Sequence, residues 1–184
     1  MIEFSTTWFF DGFTHPLETP AHLILLIGLA ILLGQQGGAY LIRNIVIFSV
    51  AVIAGFVINN YASPDMNNEL ILLVLALLVS LLVILRLDYR ASWVQFIVVL
   101  LSLISGIVLG LDSSPIMIPG LAVSTFYNWL FGTSVAITLT VSIIALISFL
   151  LRNLLQGVVL RVIGSWIATS ALFVLTLLLG TGMK

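Results

Sequence analysis

THPLETPAHLILLIGLAILLGQQGG, residues 14–38, runs from a polar, proline-bearing entry through an apolar stretch to a glycine-rich break. Thr19 is a good N-cap, and Pro20 suits the first helical position because the N–H it lacks has no helical partner there in any case. From Pro20 to Gly34 there is no Asp, Glu, Lys or Arg. The stretch therefore predicts an apolar helix at about 20–34.

Five more apolar segments follow. Hydropathy places helices at about 20–34, 40–59, 69–86, 91–111, 129–151 and 159–180, most of them near the roughly 20 residues that cross about 30 Å of hydrocarbon. The breaks GQQGG (34–38), NNYASPDMNN (59–68) and RLDYR (86–90) have turn composition, as does 112–120 with its two serines, two prolines and closing glycine. The fifth break is softer: GLAVSTFYNWLFGTS, 120–134, is amphipathic and aromatic and fits an interfacial or re-entrant piece, so seven spans is the alternative count. The chain is 61% hydrophobic and 7% charged, which leaves no room for a soluble domain. The expected fold is an all-α integral membrane protein, a single transmembrane domain over 1–184. It is a bundle of six helices, with 1–19 as an outer interfacial segment.

Charge sets the expected orientation. With six spans, Arg43, Arg86, Arg90, Arg152 and Arg161 share one side and Lys184 lies across from them. The positive-inside rule then makes the odd loops cytoplasmic and both termini outward. That arrangement fits a multi-pass protein of a bacterial inner membrane or an equivalent energy-transducing membrane. Glu3, Asp11, Glu18, Asp65, Glu69 and Asp112 fall on the outer side and only Asp88 inside, giving an outer rim attractive to cations. The segment before Pro20 is acidic and aromatic without Lys or Arg, the opposite of a signal peptide's basic start, so it is expected to be retained.

Several function classes drop out. Without cysteine there is no disulfide, thiolate metal site or cysteine nucleophile. The few basic residues are scattered, so no nucleic-acid surface is expected. No Ser-His-Asp set extends beyond the loop histidines, and no phosphate-cradling glycine loop is visible, so no enzyme is expected. What remains is the pair His15 and His22. With Glu18 and Asp11 nearby in sequence, two imidazoles and a carboxylate suit nickel, cobalt or zinc better than magnesium. The competing reading makes both histidines polar caps at an interface.

The stretch FDGFTHPLETPAHLILLIGLAILLGQQGG, 10–38, resembles the opening of the HupE/UreJ family of small membrane proteins through Gly12, Phe13, His15, Pro16, Leu17, His22, Leu23 and the Gly37-Gly38 turn. RVIGSWIATSALFVLTLLLG, 161–180, is similar to that family's last helix. The resemblance implies a six-helix permease for nickel or cobalt, or a metal-binding accessory protein. His15 and His22 are the implied first ligands, Glu18 or Asp11 completes the shell, and Asp112 lies near the path. The departures imply an alternative. Ala21 replaces the acid before the second histidine, the family's HG-x-x-HG-x-E motif aligns with SGIVLGLD (105–112), and no histidine follows His22. Ser105 and Leu109 thus stand where histidines are expected. A chain that kept the scaffold and lost ligands fits a non-transporting structural or assembly subunit packed in a larger membrane complex or a homo-oligomer.

Other intramembrane polar groups read mainly as packing. Asn128 and the Ser/Thr residues around it, including Thr133 and Thr138, either line a path or join helices, the second being the commoner use. Arg161 is expected to snorkel to the inner interface. Gly106 and Gly110 form a small-xxx-small pair for close helix contact.

Overall fold

The computed structural model describes residues 5–59, 68–115 and 123–182. Glu3, Asp65 and Lys184, to which the sequence assigned sides of the membrane, lie outside the described residues. Those described contain seven α-helices and no strand: α1 (Thr6–Glu18), α2 (Pro20–Gln36), α3 (Gly38–Asn59), α4 (Asn68–Leu85), α5 (Ser92–Asp112), α6 (Val123–Leu151) and α7 (Val158–Gly182). A 3-10 turn, Leu154–Gly157, joins the last two.

The helices α3 to α6, and α7 with the turn before it, are each long and apolar enough to cross a membrane; α1 and α2, bent by 74° at Thr19, add a sixth crossing if the pair is one span. The aromatic lead-in from Val123 onward is the opening of α6, a continuous helix of 29 residues and about 44 Å, rather than a separate element. That segment therefore adds no seventh span. At 13 residues, about 20 Å, α1 is too short to cross alone, and we place it outside the spanning segments.

The centre is α2. Ala21, Leu25, Leu26, Leu29, Ala30 and Leu33 have no solvent exposure, as an all-round apolar helix requires. The surrounding helices bury one face and show an apolar face outward: on α3, Ile42, Val46, Val50, Ile53 and Val57 recur at helical spacing and are all exposed. Exposed apolar stripes of this kind are stable against lipid and not against water, so the chain is a multi-pass membrane protein.

Small residues set how closely the helices approach. Gly106 lets α5 meet α3, where a Cβ would stand 2.7 Å from both the Ala51 Cβ and the Phe48 carbonyl oxygen. The turn from α2 to α3 uses Gly37 at φ 107, a conformation that favours glycine. Arg161 reaches sideways, its Nε donating to the Ile84 carbonyl at 2.9 Å, and so satisfies one of the last carbonyls of α4. Thr138 donates to Ser49 Oγ at 3.3 Å between α6 and α3.

Candidate metal site at the α1–α2 corner

The corner is built by two prolines and the threonine between them. Pro16 lies inside α1 and has no N–H to give the Gly12 carbonyl one turn earlier. Thr133 of α6 supplies the missing donor, its hydroxyl bonding Gly12 O at 2.9 Å in a fully buried position. Thr19 occupies the N-cap position of α2 with extended φ/ψ, and Pro20 opens that helix. Its side chain makes no capping bond to α2, however. Both its backbone N–H (3.2 Å) and its hydroxyl (3.0 Å) donate to the His15 carbonyl and close α1 instead.

This corner brings the histidines together. His22, in the first turn of α2, is fully buried, and its Nε2 lies 2.7 Å from Oδ2 of Asp112, the last residue of α5. The His22 Nδ1 is buried and has no hydrogen-bond partner. The ring of His15, in the last turn of α1, stands edge-on to that of His22 with centroids 5.5 Å apart, and 5.4 Å from the Trp129 ring. Trp129 ties α6 to the end of α5, its Nε1 donating to the Ser113 carbonyl at 3.2 Å.

The chemistry follows from which nitrogen is engaged. A histidine that donates one ring N–H to a carboxylate has its tautomer and orientation fixed, and its other nitrogen keeps a bare lone pair. With Asp112 holding Nε2–H, that lone pair is the buried, unpartnered Nδ1, beside a second imidazole. Burial of His15, and then the neighbouring His22, lower its pKa, while Asp112 and Glu18 act in the opposite sense. A lowered pKa keeps the ring neutral and able to bind a cation.

The predicted ligands are placed unequally. His15, His22 and Asp112 are brought together, with Asp112 positioning His22 rather than standing apart near a path. Glu18 is exposed at the end of α1 and acts on His15 as a charge; Asp11 is also exposed, and its carbonyl accepts from the Thr14 hydroxyl. Among the described residues no group of three or more His, Asp or Glu is arranged to hold a metal ion. Sequence reasoning missed Trp129 as a wall of the corner and Thr133 as its brace, although the aromatic, Ser/Thr-rich opening of α6 was a signal for both. Ser105 and Leu109 are fully buried on α5, and the Ser105 hydroxyl has no partner.

The profile of one protein family, described as HupE / UreJ protein, matches residues 2–174. No curated protein and no solved structure matches the chain.

Proposed function

The chain belongs to the HupE/UreJ family, and on that premise we propose that it takes up a divalent transition metal of the nickel or cobalt type at the α1–α2 corner. The observation that carries this reading is the buried His22, held by Asp112 at 2.7 Å with its Nδ1 unpartnered and His15 beside it. Two imidazole nitrogens suit nickel, cobalt or zinc, and water or the Glu18 carboxylate fills further positions on the substrate ion. The arginines at the opposite end of the bundle support a reading in which this corner lies on the outer face of a bacterial inner membrane or its equivalent. In this reading the protein is a permease or metal-delivering accessory protein, not an enzyme.

The test is metal accumulation by cells expressing the chain. His15→Ala together with His22→Ala is expected to abolish accumulation of nickel or cobalt, and unchanged uptake rejects the proposal. Ser105 and Leu109 favour a second reading, a non-transporting subunit of a larger membrane complex, because the neighbouring turns of α5 add no nitrogen ligand to the corner. That reading requires a stoichiometric partner on purification in mild detergent.

A further inference from the structure

At the end of the bundle opposite the histidines, about 21 Å along α2 from His22 to Gln36, lies a cavity of about 390 Å³. That volume falls within the roughly 300–1,000 Å³ of small-molecule sites. Its wall combines apolar residues such as Leu32, Leu82 and Val98 with the polar side chains of Gln35, Gln36, Arg86, Asp88 and Arg152.

The polar residues are arranged as a set of donors. Arg43 Nε donates to Asn44 Oδ1 at 3.3 Å, and Asn44 Nδ2 donates to Gln36 Oε1 at 2.9 Å. This relay fixes the Gln36 amide with its oxygen satisfied. Its Nε2 is left buried and unpartnered on a side chain only 3% exposed. Arg152 likewise has a buried, unpartnered Nη1, while its guanidinium lies 4.2 Å over the Phe149 ring. Arg86 adds a second cation and is tied to the Gln156 carbonyl. Asp88 is the one acid among the described lining residues, and its Oδ1 is engaged by the Arg90 N–H at 3.0 Å. Two cations against one acid, and two buried N–H donors with nothing to accept them, match an anion with several acceptor oxygens.

We propose that this cavity is a binding site for a small oxyanion of the phosphate type, held by Gln36 Nε2 and Arg152 Nη1 with Arg86 at its rim. The ligand is either free phosphate or the headgroup phosphate of an anionic lipid, and the chemistry is the same for both. The site is independent of the metal reading, since a lining of net positive charge repels a free divalent cation.

The experiment uses the full chain in detergent and then in bilayer discs. In detergent, inorganic phosphate is titrated at matched ionic strength against chloride, and thermal stability and binding are followed. Phosphate is expected to bind saturably and raise the melting temperature. Gln36→Glu keeps the acceptor for Asn44 but puts a carboxylate at the oxyanion position, and Arg152→Gln removes the charge; each is expected to weaken binding by about tenfold or more. The second arm compares discs of phosphatidylcholine with discs also holding phosphatidic acid. Phosphatidic acid retained by the wild type, lost from both variants and displaced by phosphate identifies the lipid as the source; saturable phosphate binding without lipid retention identifies the free anion. If neither phosphate nor phosphatidic acid distinguishes folded wild type from folded Gln36→Glu, the proposal is overturned.

Discussion

At the residue scale the proposed metal site turns on one carboxylate. Asp112 reaches His22 across 90 positions of sequence and fixes which imidazole nitrogen is free. Asp112→Asn keeps the size of the side chain but gives up the charge that holds the Nε2–H tautomer. Replacing an outer-shell partner of this kind typically weakens metal affinity by about 10- to 100-fold. Nickel titration of the purified protein is expected to show a loss of that order with the melting temperature little changed, and equal affinities would remove Asp112 from the site. The same titration run towards acid reports on His15. Because burial and His22 lower its pKa below the ordinary 6.5, its ring stays neutral through the mildly acid range. The His15 contribution to binding therefore persists below the ordinary imidazole value and falls away as pH passes through the lowered one. The two histidines were legible in the sequence because there are only two. Their joint use with Asp112 was not, since nothing in a linear pattern says that the end of α5 meets the start of α2.

At the element scale the corner depends on α1, which hydropathy does not reveal. Its 13 residues include Asp11, Glu18, two threonines in its first turn and Pro16 in its interior, a composition that reads as a loop. What makes it a helix is tertiary. It lies on α6 where Gly12 and Gly132 let the backbones touch, and Thr133 completes the hydrogen bond that Pro16 cannot. Thr133→Val preserves the shape and leaves the buried Gly12 carbonyl without a donor, at a cost of about 1–3 kcal/mol. The expected result is a lower melting temperature with faster amide exchange concentrated in α1, whereas Thr133→Ser restores both. Uniform loosening of all the helices would show that α1 has no special reliance on this bond. The Ser/Thr residues of α6 had two readings, a path or packing, and for Thr133 packing is the observed use. By contrast, α3, α4, α5, α7 and the body of α6 follow from composition, because each is a long run with an apolar face to lipid; only the opening of α6 from Val123 has more than one reading in the sequence.

At the scale of the whole molecule, hydropathy shows which segments are apolar enough to cross but not which one the others surround. With 17 residues, about 26 Å, α2 is at the short end of what crosses a bilayer, yet it is the most buried helix. The histidine corner stands at its first turn and the oxyanion cavity at its last. Which of these faces the cytoplasm decides the direction of any transport. Orientation rests on five arginines, all near the cavity end of the bundle: Arg43 at the start of α3, Arg86 and Arg90 between α4 and α5, and Arg152 and Arg161 between α6 and α7. Because the chain has no cysteine, single cysteines report on sidedness without background. Thr14 on α1 and Ser92 at the start of α5 are both exposed and lie at opposite ends of the bundle. With a membrane-impermeant maleimide on intact cells, Thr14→Cys is expected to be labelled and Ser92→Cys only after lysis. The reverse pattern turns the histidine corner to the cytoplasm and makes uptake from outside untenable. Labelling of both from one side contradicts the crossing of α5 itself, because Asp112 at its far end is bonded to the corner that carries Thr14.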